Sequence, residues 1–175
     1  MTDFLNARER DNLFRRIEEL TPTMRSRKSL VTGHTLVCHF NDELRAALGL
    51  QATHSTAHLL GLTLWRWLAF NVIPWPEREP RNEGALKQFI GAQPQRDFAT
   101  DHAEFVSLLQ QLDARIASGA PALAPHPTYG TLSTKQWGRC LFLHMDFHLT
   151  QFGIHGEFAR RDQPLSGVSA NPKAP

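Results

Sequence analysis

The stretch Ser133–Gln151, STKQWGRCLFLHMDFHLTQ, constrains the fold more than any other part of this 175-residue chain. Ser133 and Gln136 have the spacing of a capping box, and the residues that follow read as a long, largely buried helix. His144 and His148 are four residues apart, so both imidazoles lie on one face, one above the other. Within about 60° of His144 that face also carries Trp137, Cys140, Leu141 and Gln151, while Arg139 and Asp146 point away. Asp146 is therefore a surface or interhelical residue. A zinc-protease motif needs Glu directly after the first histidine; Met145 stands there.

The pair alone is weak, because nine histidines in 175 residues produce about half such a pair by chance. His54 and His58 repeat the spacing across a helix start. The setting separates the two pairs. His144 and His148 sit mid-helix among Leu, Phe and Trp, where two charged or unsatisfied imidazoles are costly. A metal satisfies both, and so do hydrogen bonds to neighbouring carbonyls.

The rest of the chain is also helical. Leu13, Ile17 and Leu20 recur at helical spacing over 6–20, and Thr21-Pro22 ends that helix. The basic run Met24–Lys28 reads as a solvated connector. Thr32 is an N-cap for a helix that runs to Gly49, a left-handed stop. Its apolar side is Leu36, Phe40, Leu44, Ala47 and Leu48; His39 lies at the edge, with Glu43 one turn later. A helix over Ser55–Phe70, apolar nearly all round, suits the middle of a bundle. The connection Asn71–Phe98 carries four prolines and a short helix at 84–90, the character of a lid or binding loop. Asp101 and Glu104 have capping-box spacing for a helix ending at Ala117, buried through Phe105, Leu108, Leu109, Leu112 and Ile116. A loop over Gly119–Leu132 leads to Ser133.

No alternating strand pattern of useful length appears. The fold class is all-α, an up-down four-helix bundle with a long Pro-rich connection between its third and fourth helices. Residues 1–155 form one domain, and 156–175 a polar, poorly ordered tail. A formal charge of +2 is too mild for a nucleic-acid surface. The N-terminus has no apolar signal region. The apolar segment His58–Trp75 is broken by Arg66, which argues against a membrane span. Cys38 and Cys140 form no disulfide framework, which fits a cytoplasmic protein.

His39 in HFNDELRAALG, together with HPTYGTLSTKQWGRCLFLHMDFHLTQFG from His126 to Gly153, resembles the DinB/YfiT-like superfamily, and most closely a branch catalogued as a domain of unknown function. The resemblance spans about Ala7–Gly153. It implies a metal site of three histidines, one from the second helix and two from the last: His39, His144 and His148. The chain departs from the family where relatives often carry Trp-Gly and this one has Leu30-Val31. Zinc suits three nitrogens best; nickel, iron and manganese are compatible. Three neutral imidazoles leave the ion's charge uncompensated and one position open, which lowers the pKa of water or a thiol. Relatives that use low-molecular-weight thiols imply thiol activation as one candidate, so the reading is a small-molecule transferase or hydrolase. The alternatives are a non-catalytic, metal-stabilised binding or stress-response module, and a homodimeric interaction protein.

Other residues have a functional and a plain reading. Glu43 is a general base or a support for a ligand, against a solvated or interhelical Glu, which is preferred. Gln151 holds a ligand or bonds to backbone. Cys140 is a fourth ligand or, preferably, a small buried hydrophobe. His126 and Tyr129 reach the pocket mouth or, preferably, pack the turn. Trp137 shares the His144 face. His34, His58, His102 and His155 read as surface or capping residues. Trp65, Trp67 and Phe70 read as core, with Trp75 a candidate for lining a pocket.

Overall fold

A computed structural model describes residues 6–27, 31–52, 96–118 and 123–156. Four helices occupy them: α1 (Ala7–Glu18), α2 (Gly33–Leu48), α3 (Phe98–Ala117) and α4 (Thr134–Gln151). No strand appears among the described residues beyond two isolated bridges, Arg25 with Thr32 and His126 with Gly130. The expected helix at 55–70, the His54/His58 pair, the proline-rich connection as far as residue 95 and the tail beyond 156 lie outside the described residues.

Local chemistry explains where each helix starts. The Asn6 side chain accepts from the Arg8 and Glu9 amides and opens α1. Thr32 Oγ1 accepts from the Thr35 amide and opens α2. Gly49 closes α2 at φ 74°, a conformation that costs glycine no Cβ clash. The capping box of α4 is complete: the Ser133 hydroxyl takes the Gln136 amide, and the Gln136 side chain takes the Ser133 amide.

α3 corrects the reading of its start. Asp97, not Asp101, is the N-cap, through bonds from the Thr100 amide and hydroxyl. Asp101 lies one turn inside the helix and is buried, with its carboxylate engaged by α2. The 24–28 run is not a simple solvated connector either. The Ser26 amide bonds to Val31 O, and the Arg27 amide bonds to Gln151 O at the end of α4.

The apolar faces meet in one core. Leu13 and Ile17 come from α1; Leu36, Phe40 and Leu44 from α2; Phe105 and Leu112 from α3; Leu141, Met145 and Leu149 from α4. All are essentially solvent-free, and each contributes about 1.5–3 kcal/mol of burial relative to exposure. α2 packs chiefly on α3 and also touches α4; α1 packs on α4. Asp146 bridges α4 to α1, its Oδ1 2.6 Å from Arg16 NH1, in keeping with an interhelical role. None of the described helices is long and apolar enough to cross a membrane.

Candidate metal centre

α2 brings His39 to α4 at the height of His144 and His148. His39 Nε2 lies 2.8 Å from His144 Nε2, and His148 Nε2 lies 3.1 Å from it. The three ring centroids are 5.1, 5.1 and 4.5 Å apart. His39 is buried and the other two are half-buried. Phe40 faces the rings of His39 and His148, and Phe147 flanks His148.

Burial pushes His144 well below the usual imidazole range, and His148, His39 and His126 push it the same way. Burial, then His39, pushes His148 down to about 3. Both rings are therefore neutral at pH 7. A neutral imidazole nitrogen offers one N–H or one in-plane lone pair, so His144 Nε2 can serve only one of its two Nε2 neighbours at a time. A cation can meet all three lone pairs together. Tetrahedral zinc, with Zn–N near 2.0–2.1 Å, sets its nitrogens about 3.3 Å apart, slightly wider than the distances seen here.

Glu43 adds a second reason for a cation. It is buried, which excludes a solvated Glu43 and leaves the interhelical reading open. Its Oε2 lies 3.8 Å from His144 Nε2, beyond hydrogen-bond range, and has no hydrogen-bond partner among the described residues. Burial pushes the carboxyl up to about 8. A buried acid left in this way is costly, and a dication in the histidine cluster offsets that cost. The donor set and the orphaned acceptor both fit a divalent ion.

The neighbouring candidates have structural work. His126 Nδ1 accepts from the Thr128 and Tyr129 amides, while the His126 and Gly130 backbones pair with each other. With Nδ1 used as an acceptor, the ring proton sits on Nε2, which faces Cys140 Sγ at 3.8 Å. Trp137 Nε1 donates to Ala124 O and its ring lies against His126, so it fastens this loop to α4. Tyr129 also packs on the His126 ring. These contacts agree with turn packing. Cys140 is buried, and burial followed by the charge of Glu43 raises its thiol well above the usual range. Gln151 is buried with its Nε2 unbonded among the described residues.

One constellation escaped the sequence reading. His34, expected at the surface or in a cap, places Nε2 2.8 Å from Asp101 Oδ2. Cys38, one turn on, donates to the same oxygen at 3.3 Å. The four-residue spacing of His34 and Cys38 was visible, but the third member comes from α3 and carries no sequence signal. His102 lines a separate apolar cleft between α1 and α3 with Phe14, Ile17 and Phe105.

No curated protein and no solved structure matches the chain. A protein-family profile matches residues 52–154, which contain His144 and His148 but not His39 or Glu43. That span exceeds half of the 175 residues, so the chain belongs to the family described as "Protein of unknown function (DUF1569)".

Proposed function

We propose that this chain is a DinB/YfiT-like metalloenzyme, an up-down four-helix bundle with a proline-rich connection ahead of α3. His39, His144 and His148 hold a divalent ion, zinc in first place, for a transfer or hydrolysis that acts on a thiol or on water. The observation that carries this reading is the convergence of three Nε2 atoms from two helices. An ion held by three neutral nitrogens supplies a Lewis acid that lowers the pKa of such a group.

The protein's own residues do the rest. The histidines fix the position through their buried helices. Phe40 and Phe147 cover the rings and limit water. With an ion at the histidines, Glu43, buried beside His144, would be held ionised and would accept the proton that the activated group gives up.

Metal analysis of the untagged protein tests the reading. The wild type should carry bound divalent metal, and His39→Ala, His144→Ala and His148→Ala should each lose one equivalent of it. Glu43→Gln should retain it, because Glu43 acts beside the ion. Full retention in all three histidine variants refutes the assignment.

One observation favours a second reading. His39 belongs to α2 and its two partners to α4, so an ion here also fastens two helices together. A purely structural ion would give strong stabilisation and no turnover with any thiol or ester.

A further inference from the structure

On the side of α2 that meets α3 lies a second group of donors. His34 Nε2, Cys38 Sγ and a carboxylate oxygen of Asp101 all fall within 4.8 Å of one another. We infer that these three side chains form a separate site for a thiophilic divalent ion such as zinc. The inference does not rest on the three-histidine reading.

The distances are those of a coordination shell slightly contracted. Oδ2 is 2.8 Å from His34 Nε2 and 3.3 Å from Cys38 Sγ. Around tetrahedral zinc, nitrogen-to-oxygen and sulfur-to-oxygen edges run to about 3.3 and 3.5 Å, so a small outward shift of each side chain admits the ion. Nitrogen, sulfur and carboxylate together suit zinc and softer ions, and exclude calcium and magnesium.

The surroundings orient the donors. Arg96 holds the other Asp101 oxygen at 2.5 Å, which leaves Oδ2 for the cluster. Asn41 Nδ2 holds the Asp101 backbone carbonyl at 2.9 Å. Phe98 stands edge-on to the His34 ring. Cys38 and Asp101 are buried, whereas the His34 side chain keeps 15% of its exposure, so an ion enters past His34.

Charge sets this site apart from the histidine cluster. A thiolate and a carboxylate neutralise a divalent ion, whereas three imidazoles leave it uncompensated. Both sites offer three protein ligands and so leave a fourth tetrahedral position to water, but the neutralised ion is the weaker Lewis acid. The empty state is also closed: the His34 N–H and the Cys38 S–H both donate to Asp101 Oδ2. As an ion enters, the Cys38 proton leaves to solvent and the His34 proton moves to Nδ1, freeing the Nε2 lone pair. One proton is released per ion. Because the empty cluster keeps its hydrogen bonds, the site can fill and empty without unfolding α2 or α3.

Cobalt(II) added to chelator-stripped, full-length protein provides the test. A thiolate ligand gives an intense near-ultraviolet charge-transfer band that a three-nitrogen site cannot produce. The band should appear in the wild type and persist in His144→Ala. It should vanish in Cys38→Ser, whose hydroxyl keeps the bond to Asp101 and whose helicity should be unchanged by circular dichroism. Asp101→Asn, a second and milder variant, should weaken cobalt binding at least tenfold. No band in wild-type protein overturns the assignment. So does a band that survives Cys38→Ser and is lost in Cys140→Ser. A band without metal uptake at the histidine cluster would support this site while refuting the proposed enzymatic one.

Discussion

Gly33→Ala sets two effects of opposite sign against each other. Alanine is the better helix former, by at most about 1 kcal/mol. Yet a Cβ built on Gly33 falls 2.2 Å from Thr21 O and 3.3 Å from Thr21 C. The obstacle is backbone, so no side-chain rotation relieves it. Reaching the ordinary separation of about 3.5 Å requires the start of α2 and the Thr21–Met24 turn to part by about 1.3 Å. That movement breaks the 2.7 Å bond from the Gly33 amide to Met24 O, whose loss costs about 1 kcal/mol. Residual overpacking adds about 1–3 kcal/mol. The clash outweighs the propensity gain, leaving a net loss of about 1–3 kcal/mol. Urea denaturation followed by circular dichroism should show a lower midpoint with an unchanged slope. A midpoint equal to or above that of the wild type would refute the account of how α2 is seated.

Chelation should lower the melting temperature of metal-loaded protein by about 5–10 °C if the ion stands at a hundredfold over its dissociation constant, with recovery on adding zinc back. An unchanged melting curve would count against a bound ion. His126 is pushed down to about 4 by burial, so the unfolded state binds the extra proton between pH 6.5 and 4. Its contribution is whole above pH 6.5 and is lost as pH falls toward 4, at most about 3 kcal/mol. Urea titrations at pH 7.5 and 5 should therefore diverge less in His126→Asn, whose side-chain oxygen can still take the two loop amides. Asp146→Ala leaves buried Arg16 with its bond to Ile154 O but no carboxylate, and should cost about 1–3 kcal/mol by thermal or urea unfolding. Arg16→Met in that background should recover part of the loss.

Helix ends were legible wherever their determinants are local. Thr32, Gly49 and the Ser133–Gln136 pair each act within four residues, and the structure uses them as the sequence suggests. Asp97 and Asp101 show the limit. Both precede a residue three positions on that could complete a cap, and the choice falls to tertiary demand: His34, Cys38 and Arg96 engage Asp101. Burial pushes the Asp101 carboxyl up, but those hydrogen bonds outweigh it and hold the group below its usual range.

The depth at which Glu43 is buried is hidden from the sequence for a related reason. Helical spacing puts it on the face of His39, yet how deeply that face is covered depends on a helix about a hundred residues away. The family resemblance brought His39 to the pair on α4, which the spacing of residues alone could not do. His34 was misread because its partner lies on another helix.

Cys38 and His39 are adjacent in sequence and yet serve different neighbours, one toward α3 and the other toward α4. Successive residues on a helix are rotated by about 100°, so α2 behaves like a keyed shaft with separate fittings on two sides. Deleting one residue between Cys38 and Glu43 would keep the helix but turn Glu43 away from the imidazoles. Deleting one between His34 and Cys38 would turn these two donors onto different faces, so that they could no longer share Asp101. Length changes within this helix are thus far less tolerable than substitutions on its surface. Frame-preserving deletions scanned along α2 would map the two fittings separately.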